Sequence, residues 1–320
     1  MKKYLAVLFS VMMFFSSVGV AAAAFKDVSQ THWAVDEITY LTENKVIGGY
    51  SDGSFRPQEQ LTRIQAIILM AKALKLDLSN RPNPGFKDVP PSHASYKYVA
   101  AVMDAGVFPK KSNYLEPYKP ITRDDMAYML AKGFELKASG NYSFKDVSSN
   151  HWAYPSIMAL ASNNITIGYG DGTFRPNAVV TRAQFSTFLA KAKDDQFKTF
   201  TYHSQMLAYK MQLPNYMKDK ITVKDKKVQD YVYVTEIYYK DTTNLKKDLF
   251  VGAIRKIHKS KMPQYQGAPY NPLKIKGDYH YFHQGPSESP YSMNGQLNSP
   301  EAIEFSKIYF KIFHMSKGIQ

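Results

Sequence analysis

Three arginines share one chemical setting. Arg63, Arg123 and Arg182 each follow a threonine, in TRIQ from Thr62, TRDD from Thr122 and TRAQ from Thr181. Each opens an apolar run with helical spacing: AIILMAKALKL, MAYMLAKGF and FSTFLAKA. Thr three residues ahead of Gln65, Asp125 or Gln184 predicts a capping box. In it the hydroxyl accepts from the third helical N–H and that residue's side chain reaches back to the Thr N–H. A cation at the first helical position is out of place, because the helix N-terminus already carries about half a positive charge and repels it by a few tenths of a kcal/mol. It makes sense where an external anion sits on the helix end, held by the guanidinium together with free backbone N–H groups. The alternative is that each arginine pairs with a structural carboxylate nearby.

Other chemistry is thinner. The loops GGYSDGSFRP from Gly48 and IGYGDGTFRP from Ile167 offer turn-forming Asp52-Gly53 and Asp171-Gly172 beside Tyr50 and Tyr169. One carboxylate per loop cannot supply the six or more oxygens of a calcium site. His280 and His283 have an odd spacing that puts them on opposite faces of a strand, so they do not share a metal. No His-Glu-x-x-His, Gly-x-Ser-x-Gly or Walker motif is present, and Glu236 has no second acid at readable spacing. Catalytic residues, metal ligands and cofactors are therefore all expected to be absent. With no cysteine in 320 residues, thiol catalysis, disulfides and thiolate zinc sites are excluded.

The elements that must position the arginines come from a repeat of about 60 residues. Its copies open with FKDVSQTHWA at Phe25, FKDVPPSHAS at Phe86 and FKDVSSNHWA at Phe144. Copies one and three run through a helical segment into the Gly-Asp-Gly loop and then into the Thr-Arg helix. In copy two GVFPKKSNYLEPYKP (residues 106–120) replaces that loop, and His93-Ala94 replaces His-Trp. One helix pair cannot bury its apolar face alone, so the copies are expected to pack around the three Thr-Arg helices as a central bundle. Asp27, Asp88 and Asp146 read as local caps or partners of the arginines. Trp33 and Trp152 read as core residues, with stacking on a sugar as the alternative.

The ordered recurrence of F-x-D-V…H-W-A, G-Y-x-D-G-x-F-x-P and T-R resembles the S-layer homology family, over residues 25–193. The resemblance implies a pseudo-threefold, mainly α assembly of helix-loop-helix repeats. Such an assembly holds secondary cell-wall polysaccharide non-covalently, in grooves between neighbouring repeats. In that family the sugar is typically pyruvylated, and the ketal pyruvate carboxylate suits an arginine fork. Carried onto this sequence, the ligand-binding positions are Arg63, Arg123 and Arg182, then Gly49, Tyr50, Asp52 and Gly53, then Gly168, Tyr169, Asp171 and Gly172, with Trp33 and Trp152 as stacking candidates. The chain departs from the family at Gln65, Asp125 and Gln184, where a Glu is usual. The degenerate second repeat puts its own groove in question, although Lys110, Lys111 and Arg123 keep it basic, and Arg123 is expected to matter less than Arg63 and Arg182.

The ends of the chain are different. MKKYLAVLFSVMMFFSSVGVAAAA (residues 1–24) has the basic, apolar and small-residue zones of a secretion signal, and no other stretch is apolar enough to span a bilayer. The expected organisation is a signal at 1–24, repeats at 25–80, 86–137 and 144–193, and a separately folding α+β domain at 196–320. In that last segment YVYVTEIYY puts Tyr231, Tyr233, Thr235, Ile237 and Tyr239 on one strand face. Ser299-Pro300-Glu301 opens a helix with Ile303, Phe305, Ile308, Tyr309 and Ile312 on one stripe, fit to lie on an antiparallel sheet. The segment loosely resembles a small module of other exported Firmicute proteins, through its strand order and the SPYSMNG run. The net charge of +14 is concentrated there, which suits an anionic surface partner. Nucleic acid is disfavoured, because the signal directs the chain out of the cell. These features predict an exported, wall-bound protein of a Gram-positive-type surface whose C-terminal domain binds or builds. The alternative is a wall-anchored enzyme acting on wall polymer through 196–320.

Overall fold

The computed structural model describes residues 25–242, 245, 247–265, 268, 270–287, 289–291 and 299–316. The signal segment and most of the SPYSMNG run lie outside the described residues. Six helices build the first part: α1 (Val35–Glu43), α2 (Arg63–Ala73), α3 (Tyr96–Asp104), α4 (Arg123–Gly133), α5 (Tyr154–Ser162) and α6 (Arg182–Lys193). The Thr-Arg helices α2, α4 and α6 are buried on most sides, as a central bundle requires. The outer helices swap partners around a circle. Each packs on the central helix of the preceding copy, α3 on α2, α5 on α4 and α1 on α6.

A ring of backbone hydrogen bonds closes the bundle at the helix N-termini. Leu61 N donates to Val180 O (2.9 Å), Val180 N to Ile121 O (3.1 Å) and Ile121 N to Leu61 O (2.8 Å). All three side chains are buried beside it. The capping box forms at Thr62 with Gln65 and at Thr181 with Gln184. It does not form in copy two. There the Thr122 hydroxyl turns to the Asp124 carboxylate, and Asp125 is drawn away by Lys111 at 2.6 Å.

The C-terminal part is an α+β unit. Strands β1 (Thr199–Ser204) and β2 (Tyr209–Pro214) form an antiparallel hairpin. Strands β3 (Ile221–Gln229), β4 (Val232–Lys240), β5 (Asp248–His258), β6 (Asn271–Lys276) and β7 (Tyr279–Gln284) form an antiparallel sheet in the order β3-β4-β5-β7-β6. Helix α7 (Pro300–Ser316) packs on β5 and β2 through Phe305, Ile308 and Ile312. Ile237 and Tyr239 are buried in that core and Tyr233 lies against it, as the alternation requires, but Tyr231 departs from it. It sits in the β3–β4 turn with φ 63° and is 52% exposed, because the chain reverses one residue before the strand begins.

The two parts touch through α7 and α1. Lys311 Nζ lies 2.7 Å from Glu37 Oε1 and 2.8 Å from Trp33 O, and both charged side chains are buried. Tyr216 donates to Asp36 Oδ2 at 2.9 Å, and its ring packs against both cores.

Candidate ligand grooves between the repeats

Each repeat first fixes its own loop. Asp27 accepts from the N–H groups of Phe55 and Arg56, both at 2.7 Å. Asp146 accepts from Phe174 (2.8 Å) and Arg175 (2.7 Å), and Asp88 from Leu115 (2.8 Å) and Glu116 (2.7 Å). These aspartates are therefore loop caps, and none of them holds a Thr-Arg arginine. The fork matches Arg56, Glu116 and Arg175 as equivalent positions, and all three adopt φ between 54° and 59°. Asp52 and Asp171 pin the turns in the same way. The hydroxyls of Ser54 and Thr173 donate to them, which holds both carboxyls well below the usual carboxylate range. Gly49 and Gly168 are required by crowding. A Cβ there would come within 2.4–2.5 Å of the Phe25 and Phe144 rings.

Each Thr-Arg arginine then reaches across to the loop of another repeat. Arg182 of copy three lies on the loop of copy one, its Nε donating to Phe55 O (2.8 Å) and its Nη2 to Gly48 O (2.9 Å). Arg123 of copy two lies on the loop of copy three, its Nε donating to Phe174 O at 2.8 Å. Arg63 of copy one lies on the degenerate segment of copy two, its Nη1 donating to Leu115 O (2.9 Å) and Glu116 Oε2 (2.7 Å). The intact loops thus face Arg182 and Arg123, and the premise for ranking Arg123 lower, that it faces its own repeat's lost loop, does not hold. Arg63 is the arginine that faces the lost loop.

The electrostatics separate the three. Arg123 is 4% exposed and Arg182 6% exposed, and among the described residues no carboxylate lies within 4.0 Å of either guanidinium. Burial pulls the pKa of both guanidinium groups down, since neither is repaid by an ion pair. Arg63 is neutralised instead, with Glu116 at 2.7 Å and buried Asp125 at 3.7 Å from Nε, while Lys111 sits 2.6 Å from Asp125. Lys119, 3.1 Å from Glu116, shares it with Arg63, so three cations and two carboxylates meet here and none of the cations lacks a partner. The Lys111 ammonium is spent on Asp125 and lies 3.8 Å from the Trp152 ring centre.

Sequence reasoning missed a second arginine beside each intact groove. It is already paired with its own loop aspartate, Arg56 with Asp52 at 3.3 Å and Arg175 with Asp171 at 2.9 Å. Arg56 lies 3.9 Å from the Tyr50 ring centre and Arg182 lies 5.0 Å from it. Arg175 and Arg123 lie 4.0 Å and 5.0 Å from the Tyr169 ring centre. The signal was in the loop ends, F-R-P at Phe55 and Phe174 against L-E-P at Leu115. Glu116 inverts the charge at that position, so the cleft of about 180 Å³ beside Arg63 is lined by two carboxylates, Glu116 and Asp125. The Tyr50 hydroxyl is buried without a partner among the described residues.

The helix ends themselves are not open. Arg63 N and Ile64 N donate to Lys119 O and Pro117 O, Arg123 N and Asp124 N to Ala178 O and Pro176 O, and Arg182 N and Ala183 N to Glu59 O and Pro57 O. The free N–H groups expected there are already used to join the repeats, so an anion in these grooves must be met by side chains. Trp33 stacks on His314 (5.2 Å, 10° between planes), so one face belongs to the junction with α7. Trp152 is 42% exposed, and its indole N–H donates to Asp124 Oδ2 at 2.8 Å.

Comparison with known proteins agrees with this architecture. Residues 24–67, 85–127 and 143–186 match the S-layer homology domain. The chain carries three S-layer homology domains. It is 31% identical over 237 residues to the S-layer protein sap of Bacillus anthracis, covering 69% of this chain and 29% of that protein. It is 32% identical over 225 residues to an uncharacterized cell wall amidase of the same species, covering 66% of this chain and 41% of the amidase. A cellulosome-anchoring protein of Acetivibrio thermocellus is 28% identical over 146 residues, covering 43% of this chain and 32% of that protein. The chain thus spans less than half the length of these relatives.

Proposed function

We propose that the chain is an exported cell-surface protein held to the cell wall by its S-layer homology domains. Two of its three grooves bind an anionic secondary cell-wall polysaccharide. The observation that carries this is the pair of buried guanidiniums, Arg123 and Arg182, each without a carboxylate and each beside a tyrosine and a second arginine. Buried charges in folded proteins are normally paired, so a pair of desolvated cations facing a groove calls for an anion from outside. A pyruvylated sugar fits: one carboxylate for Arg123 or Arg182, since Arg175 and Arg56 already pair with Asp171 and Asp52, and a ring face for Tyr50 or Tyr169. Asp52, Gly49 and Gly53, with Asp171, Gly168 and Gly172, shape the loops that present these tyrosines. Names of relatives, S-layer protein and cellulosome-anchoring protein, support an anchoring role.

The C-terminal part is the presented cargo, a non-catalytic binding or structural module. Its buried and half-buried carboxylates are engaged in the fold: Asp225 accepts from Tyr202 and Ser204, Glu236 from Tyr238, Asp241 from Tyr291 and Glu304 from Tyr239. An amidase and an endoglucanase are among the similar proteins, so an enzyme acting on wall polymer is the competing reading. The deciding experiment is sedimentation of the mature chain with purified sacculi, before and after removal of the non-peptidoglycan polymer. Binding lost on removal supports the reading. Binding retained, or release of soluble wall fragments by the chain, contradicts it.

A further inference from the structure

The Arg123 groove does not end at its loop. Tyr169 also lines a cleft of about 380 Å³ between the third repeat and the C-terminal part, with Lys191 and Gln212 on its walls. Gln212 and two repeat residues are shared with a second cleft of about 230 Å³, which Tyr142 and Lys210 line. The two clefts therefore make one seam, running from Tyr169, whose ring centre lies 5.0 Å from the Arg123 guanidinium, along the third repeat beside the β1–β2 hairpin. The first is of a size that takes a small ligand or a short piece of a longer one.

The chemistry along the seam is that of a charged glycan. Among the described residues Lys191 and Lys210 have no carboxylate within 4.0 Å. Lys191 stands where the other repeats have Lys72 and Lys132, which are exposed, whereas Lys191 is partly covered. Burial pulls its ammonium down to about 8, with Glu37 beyond 4.0 Å holding it up and Lys311 opposing, so it is still charged at pH 7. Gln212 Oε1 is buried without a hydrogen-bond partner among the described residues, an acceptor that a hydroxyl donor would satisfy. Tyr142 is 43% exposed at the far end, an open aromatic face of the kind that packs on sugar rings.

We propose that this seam is an extended saccharide subsite: successive units of an anionic wall glycan, anchored by one carboxylate at Arg123, run past Lys191 and Gln212 to Tyr142 and Lys210. This rests on the groove reading above. The C-terminal part is then a wall of the binding site as well as cargo, and it extends only one of the two working grooves.

The test uses the full mature chain carrying Arg182→Met, shown first to be folded, so that the Arg123 groove alone is read. Two probes come from purified wall polymer, a single terminal repeating unit and a fragment of several units. Lys191→Met/Gln212→Met is expected to lose about tenfold in affinity for the long fragment and to bind the single unit as before. Tyr142→Ala, a surface change that does not threaten folding, should lose about fivefold for the long fragment only. Arg123→Met should weaken both probes. If the folded Lys191→Met/Gln212→Met and Tyr142→Ala variants keep full affinity for the long fragment while Arg123→Met weakens it, the seam proposal is wrong and the groove reading stands. Equal losses for both probes also overturn the seam. If Arg123→Met changes neither probe, the groove reading fails and takes the seam with it.

Discussion

Replacing Lys311 with methionine tests how the repeats and the C-terminal part are joined. The Lys311 and Glu37 side chains are 7% and 2% exposed, with the ammonium 2.7 Å from one carboxylate oxygen and 2.9 Å from the other. A third bond, to Trp33 O, uses the last ammonium proton. Methionine fills similar space but leaves the Glu37 carboxylate buried and without its hydrogen-bonded cation, with only the more distant Lys191 acting on it. Breaking such a pair from one side costs about 3–5 kcal/mol, most of it the stranded charge. Glu37→Met should cost somewhat less, because Trp33 O still holds the ammonium. Lys311→Met/Glu37→Met should recover most of the loss, since apolar replacement of a buried pair is close to neutral. Urea denaturation of the wild type, both single variants and the double gives the coupling energy directly. If Lys311→Met costs under about 0.5 kcal/mol, both groups are hydrated in solution. The contact between α7 and α1 would then contribute nothing, and residues 25–195 and 196–320 would be independent units cut cleanly by protease near residues 192–198.

Other outcomes are as definite. His283 is fully buried, and burial alone pulls its imidazole down to about 4, so the folded chain holds it neutral. That contribution is complete above about pH 6.5 and is lost as pH falls towards 4, about 2–4 kcal/mol in all. His283→Leu should flatten this limb in a melting-temperature series, and an unchanged slope would refute the assignment. Thr62→Ala and Thr181→Ala should each cost about 0.5–2 kcal/mol through loss of a capping box. Thr122→Ala should behave differently, because its hydroxyl caps no helical N–H. Gly168→Ala should damage binding by displacing the third loop, since the added methyl meets the Phe144 ring and Thr173 O, both at 2.5 Å; wild-type affinity in that variant would show the loop to be irrelevant.

The repeats were legible because their signals are local. The threonine caps, the Asp-Gly turns and the apolar runs each act within a few residues, and together they specify the central bundle. Two features were not legible in the same way. The pairing of each arginine with a loop depends on how the repeats circulate, and nothing within one copy says that Arg123 meets Tyr169 and not its own loop. The occupied helix N–H groups follow from the same circulation, through carbonyls of another repeat far away in sequence, such as Pro117 for Ile64 and Pro57 for Ala183. Glu116 was visible in L-E-P but carried meaning only once the Asp88 fork aligned it with Arg56 and Arg175. In the C-terminal part, β6 is not legible because Pro272 interrupts it, Lys274 is half-buried and Ile275 exposed, which erases the alternation, and it is an edge strand of the sheet.

The central claim is that two grooves, those of Arg123 and Arg182, bind the wall polymer and the Arg63 groove does not. Equilibrium binding of purified polymer to Arg63→Met, Arg123→Met and Arg182→Met, each first shown to be folded, tests it directly. Loss of a charged hydrogen bond of about 1.5–3 kcal/mol predicts a one- to two-order fall in affinity at the altered groove for Arg123→Met and Arg182→Met, with near-abolition in the double variant. Arg63→Met should bind as the wild type does. A folded Arg123→Met/Arg182→Met chain with unchanged affinity, or an Arg63→Met chain that loses as much as the other two, would contradict the account.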